Sequence, residues 1–203
     1  MRLTAGRATL QAHSTERGKA MATNMEAGKG KGWNVLRVAA WVGAAVLMLI
    51  PMVAMQFPAS GFNWTLGDFV AFAAMLLIAL GTFEVGLRMS PDPWYRAGVA
   101  VAVAGGFLMV WANLAVGIIG DGDNLANVAF FGVLLVGMIG ALLAWFRPAG
   151  MARALYATAL ANAALSVGCL LAGWDHRGAL LSLFFVLPWL LSAGLFRKAA
   201  GRA

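Results

Sequence analysis

Glu84 is the one acidic residue well inside an apolar stretch long enough to cross a bilayer. A carboxylate in that setting is by default a functional candidate, here a proton or cation site. Arg88 follows at i+4, the order that favours a helical ion pair. Both side chains lie close enough to the end of the stretch to extend together into the interface, so a structural pair is the simpler reading. Asn113 and Asn162 are the strongest polar side chains of two further apolar stretches. Amides in lipid hydrogen-bond across helices, and packing is their expected role; the alternative is a polar lining for a small cavity. Glu84, Arg88, Asn113 and Asn162 are thus the interior set that a transporter would use.

A second group lies between the apolar stretches: Asp68, Asp121, Asp123, Asn124, Asn127, Asp175 and His176. Oxygen ligands with one imidazole suit a divalent cation, which makes Asp121, Asp123, Asp175 and His176 weak metal candidates. Asp121-Gly122-Asp123-Asn124 lacks the glycine and terminal glutamate of an EF-hand loop. Helix capping explains each position separately, because acids and amides at a helix N-terminus satisfy its free N–H groups. Thr65 and Asp68 have the spacing of a capping box, with Asp in place of Glu. A metal requires three connections to converge; caps do not.

Other chemistry lacks its parts. His13 and His176 are the only histidines and neither lies in a span, so haem held by paired imidazoles is not expected. There is no HExxH and no glycine-rich phosphate loop followed by lysine. Ser166 and Ser192 have no intramembrane histidine to activate them. Cys169 stands alone in an apolar run, without a disulfide or CxxC partner. No catalytic residue, confident metal ligand or cofactor is assigned. An enzyme acting at the outer face through Asp175 and His176 ranks last.

These residues are positioned by a chain that is 62% hydrophobic and 11% charged, against roughly 45–50% apolar and 25% charged in soluble domains. Six apolar runs, at about 35–56, 67–88, 96–119, 127–146, 152–173 and 179–196, fit a requirement of about 20 residues per span. Of the 15 Lys and Arg residues, only Arg177 falls on the second side of a six-span reading. Cytoplasmic loops retain Lys and Arg, so both termini are expected in the cytoplasm. The net charge of +7 then reflects attraction to anionic lipid headgroups rather than to nucleic acid. Trp33, Trp64, Trp94, Trp145 and Trp174 fall at span ends, in the headgroup zone. Pro51 and Pro188 are expected to kink the first and last spans.

The expected fold is an all-α integral membrane protein, a six-transmembrane-helix bundle built from three antiparallel hairpins across residues 33–199. Residues 1–32 have no hydrophobic period and read as a disordered basic tail. Met21 and Met25 are alternative starts that would make the first 20 residues an extension. Sliding the first hairpin by 59 positions sets Asp68 on Asn127, Phe72 on Phe131, Gly81 on Gly140 and Arg88 on Arg147, the pattern of parallel repeats. The small run Ala104-Gly105-Gly106 invites close approach of a neighbouring backbone.

Four segments together carry a resemblance: Trp64-Thr65-Leu66-Gly67-Asp68-Phe69, Tyr95-Arg96-Ala97-Gly98-Val99-Ala100, Trp111 to Gly120, and Arg147-Pro148-Ala149-Gly150-Met151. Over roughly Trp33 to Ala199 the chain resembles a group of short, uncharacterised inner-membrane proteins of proteobacteria. The resemblance implies a bacterial inner membrane and carries over no functional residues.

The expected function is that of a non-enzymatic accessory or scaffold protein, with membrane lipids, self-association or another membrane protein as partners. The alternative is a small transporter or channel for a cation, proton or small molecule. Convergence of Glu84, Asn113 and Asn162 on one cavity would favour the alternative; separate interfaces favour the first.

Overall fold

A computed structural model describes residues 3–57, 61, 63–120 and 124–202. Every element among them is helical, and six helices are long and apolar enough to cross a membrane. The chain is an all-α, multi-pass integral membrane protein. It divides into two units, Met1–Asn63 and Trp64–Ala203.

The first unit carries α1 (Leu3–Ala54), whose apolar part is Gly32–Ala54. The helix begins well ahead of that part, in a segment for which composition predicts a disordered tail. The physical reason lies in propensity rather than periodicity. Residues 3–31 contain no proline and carry Ala5, Ala8, Ala12, Ala20, Ala22 and Ala27 among Arg, Lys, Gln and Glu, most of them good helix formers. Extending an existing helix costs far less than nucleating one. The helix also passes Pro51 without a break and ends at Ala54.

The second unit contains α2 (Leu66–Met89), α3 (Pro93–Val116), α4 (Leu125–Leu143), α5 (Pro148–Leu171), α6 (His176–Ser182) and α7 (Val186–Ala200). Each start has a local cause. Thr65 and Asp68 form a complete capping box on α2. Asp92 accepts from Trp94 and Tyr95 N–H, with Pro93 at the first helical position of α3. Asn124 and Asp175 cap α4 and α6, and Pro148 opens α5.

The final span is broken. A 3₁₀ turn, Leu183–Phe185, separates α6 from α7. Pro188 has no N–H to give Phe184 O and its ring crowds that carbonyl, which weakens the regular helix at this point. The expected kink therefore appears as a change of helix type one turn before the proline.

Packing in this unit is not confined to helices consecutive in the chain. α2 packs on α3, α4 on α5, and α7 on both α3 and α5, whereas α3 and α4 meet far less. Small residues decide the pattern. A Cβ at Gly98 would stand 2.9 Å from the Phe196 ring, one at Gly105 3.0 Å from Pro188 Cβ, and one at Gly140 2.7 Å from Ala154 Cβ. Glycines on α3 thus admit the bulky face of α7. Without a hydrophobic drive between helices in lipid, such close contact is what holds them together. The core runs through Met109, Phe130, Leu155, Trp189 and Phe196, all buried.

Candidate functional site

The four interior candidates occupy different surroundings. Glu84 lies partly buried near the end of α2, with Oε2 shielded from solvent. Arg88, one turn on, is exposed.

Asn113 closes the far end of α3. Its Nδ2 donates to Asn127 O at 2.7 Å. Asn127 Oδ1 in turn accepts from Ile118 and Ile119 N–H, each at 2.9 Å, while its Nδ2 donates to Ile119 O at 3.2 Å. Both asparagines are buried. One side chain at the start of α4 thus takes two N–H groups and one carbonyl from the chain leaving α3. That explains why α3 ends at Val116 rather than near residue 119.

Asn162 is fully buried, in the middle of α5. Its Nδ2 donates to Ser182 O at 3.0 Å. In a regular helix that carbonyl would receive Val186 N–H, but the 3₁₀ turn diverts Val186 N–H to Leu183 O. The amide of α5 therefore caps the carbonyl that the break releases. Ser166 and Ser182 complete the seam: their Oγ atoms are 2.6 Å apart, Ser166 Oγ is 2.9 Å from Asn162 O, and Ser182 Oγ is 2.7 Å from Ala179 O. Thr158 bonds back to Ala154 O at 2.9 Å. Asn162 Oδ1 and Trp189 Nε1 are buried and have no hydrogen-bond partner among the described residues.

Asn113 and Asn162 are thus engaged at separate interfaces, α3 with α4 and α5 with α6, and Glu84 sits on a third element, α2. Sequence reasoning did not anticipate Asn127 as a buried bracket, Asp92 as a cap, or the seam partners Ser166 and Ser182. A signal for the seam was present. Thr158, Asn162 and Ser166 recur every four residues, which places them on one face of α5.

Among the described residues, the acids and amides between the spans work mainly as caps. Asp68 Oδ2 accepts from Thr65 N–H at 2.7 Å and from Thr65 Oγ1 at 2.8 Å. Asn124 Oδ1 accepts from Ala126 N–H at 2.9 Å. Asp175 Oδ1 accepts from Arg177 N–H at 3.1 Å, and Oδ2 accepts from Gly120 N–H at 3.0 Å. The Asp175 carboxyl is held below the usual carboxylate range, first by the Gly120 N–H, then by the Gly178 N–H, with Arg177 adding to the effect. Asp175 thereby ties the α3–α4 connection to the start of α6. His176 is exposed beside it. Asp121 and Asp123 lie outside the described residues. Among the described residues, no three His, Cys, Asp or Glu side chains gather in a way that would hold a metal ion.

A third bracket operates at the other end of the unit. Tyr95, at the start of α3, donates its hydroxyl to Phe146 O at 3.0 Å and stands edge-on to Phe196 at 5.0 Å. Lys198 Nζ lies 4.7 Å from the ring centre of Trp94, and the Arg202 guanidinium 5.5 Å, both within cation–π range. Searches among protein-family models, curated proteins and solved structures return no match to this chain.

Proposed function

We propose that this chain is a non-enzymatic accessory or scaffold protein of a bacterial inner membrane, with both termini in the cytoplasm. The observation that supports this reading is the separate engagement of its interior amides. Asn113 joins α3 to the start of α4, and Asn162 joins α5 to the broken final span. A transport route needs polar groups that follow one another across the membrane. Here each amide closes a helix end or a helix break at its own interface, which is the pattern of a bundle built for rigidity.

Orientation follows from the charges: Arg88, Arg96, Arg147, Arg153, Arg197, Lys198 and Arg202 flank turns or the terminus on one side. Arg197 and Lys198 also occupy the last turn of α7, where cations favour the helix dipole.

The test is native electrophoresis of solubilised membranes, with crosslinking and mass spectrometry of the chain's neighbours. A scaffold migrates with a defined partner, well above its own 21.3 kDa. Migration as a lone monomer, together with cation or proton flux through vesicles containing only this chain, would refute the proposal. A carboxyl-terminal reporter active only in the cytoplasm checks the orientation.

A further inference from the structure

The seam between α5 and α6 holds more acceptors than donors. Ser166 and Ser182 have one hydroxyl hydrogen each, yet take part in three close contacts: with Asn162 O, with Ala179 O and with each other. Two hydrogens cover only two of the three. When both hydroxyls bond back to their own helices, as Ser in a helix commonly does, the two Oγ atoms face each other at 2.6 Å through lone pairs alone. Asn162 Oδ1 adds a further acceptor, fully buried and without a partner among the described residues. It belongs to the same amide whose Nδ2 holds Ser182 O. The break at Leu183–Phe185, with Pro188 beyond it, leaves this stretch of backbone short of donors as well.

An acceptor-rich, donor-poor site in the middle of a membrane bundle calls for a positive ligand. We propose that the α5–α6 seam binds a monovalent alkali cation through Asn162 Oδ1, Ser166 Oγ and Ser182 Oγ. The chemistry sets the class. All three atoms are hard oxygens, which select alkali and alkaline-earth cations over softer metals. None carries a charge, and neutral dipoles in a low-dielectric interior offset the dehydration of a single charge far more readily than that of a double one. Helix breaks that present carbonyls and side-chain oxygens to Na⁺ are an established way of building such sites in membranes. The site lies wholly within one interface, so it acts as a fastening for the broken span and does not depend on the scaffold reading.

The experiment is thermal unfolding of the purified full chain in nanodiscs. NaCl and KCl are titrated against N-methylglucamine chloride at constant ionic strength. The expected result is a saturable rise in unfolding midpoint with Na⁺ or K⁺ over N-methylglucamine. Ser166→Ala, which keeps the Asn162–Ser182 bond, should shrink that rise, and Asn162→Ala should remove it. Should Asn162→Ala fail to fold, Asn162→Asp serves in its place: a charged oxygen should move the titration to lower cation concentration. Equal midpoints in all three salts, or a full-sized response in Ser166→Ala, overturns the proposal and leaves the seam a hydrogen-bonded joint only.

Discussion

Tyr95 and Phe146 are 51 positions apart, yet the Tyr95 hydroxyl donates to the Phe146 carbonyl at 3.0 Å. The contact fixes the α4–α5 turn against the start of α3, while the same ring meets Phe196 of α7 edge-on. Tyr95→Phe keeps the ring and removes the hydrogen bond alone. It should cost about 1 kcal/mol, read as a lower midpoint in denaturant unfolding of the reconstituted protein. An unchanged midpoint would mean that the turn holds itself.

That turn carries two non-glycine residues in the left-handed region, Trp145 at φ 48° and Phe146 at φ 55°. The hydrogen bonds Phe146 N–H to Ala141 O and Trp145 N–H to Leu142 O are those of a Schellman ending. The end of α5 makes the same two bonds, Trp174 N–H to Cys169 O and Gly173 N–H to Leu170 O, with glycine at the left-handed position. Trp145→Gly should therefore stabilise by about 1 kcal/mol, relieving the Cβ strain of a non-glycine residue there. The unfolding midpoint should rise. A fall would show that the exposed indole contributes more by anchoring at the headgroups than its backbone costs.

Asn127 supplies three contacts to the chain leaving α3, so its loss should exceed that of a single hydrogen bond. Asn127→Ala leaves the Ile118 and Ile119 N–H groups without their acceptor and should cost about 2–4 kcal/mol. Asn127→Asp restores the acceptor but not the Nδ2 donor. Recovery of part of the lost stability in Asn127→Asp, measured in the same unfolding assay, would identify the two N–H groups as the main debt; equal loss in both variants would point to the donor.

Asp175 predicts a pH dependence with a definite sign. Its pKa in the folded protein lies below its ordinary value of 3.8. Such a carboxylate contributes stability that is present above the unfolded value and disappears as pH falls through the folded one. The Gly120 contact should therefore loosen only in acid, below about pH 3.8. Hydrogen exchange at Gly120 follows this directly. Asp175→Asn should exchange faster at neutral pH and show a flatter acid limb; an acid limb identical to wild type would remove Asp175 as the cause.

The spans were legible because bilayer thickness imposes a length, and long apolar runs are a property of the chain alone. Capping was legible for the same reason: Thr65 with Asp68 is a local pattern. The 59-residue offset even sets Thr65 on Asn124 and Asp68 on Asn127, and both pairs hold the cap and third helical positions of their helices. What the offset could not say is where each third residue reaches. Asp68 turns back to Thr65, whereas Asn127 reaches across to Ile118 and Ile119. Tertiary pairings such as Ser192 Oγ to Gly98 O at 2.7 Å were illegible, since they depend on which glycine face a partner helix selects. The helical start of α1 was missed because absence of an apolar stripe was read as absence of helix.

The break in the last span bears on how that segment crosses the bilayer. Seven residues of α6, three of the 3₁₀ turn and fifteen of α7 rise about 10, 6 and 22 Å, and only joined end to end do they exceed the roughly 30 Å of hydrocarbon. The turn therefore lies inside the crossing segment, where water is absent and a released carbonyl must find its donor in the protein. The Asn162 amide of α5 supplies that donor, so the neighbouring helix makes the bend tolerable at that depth.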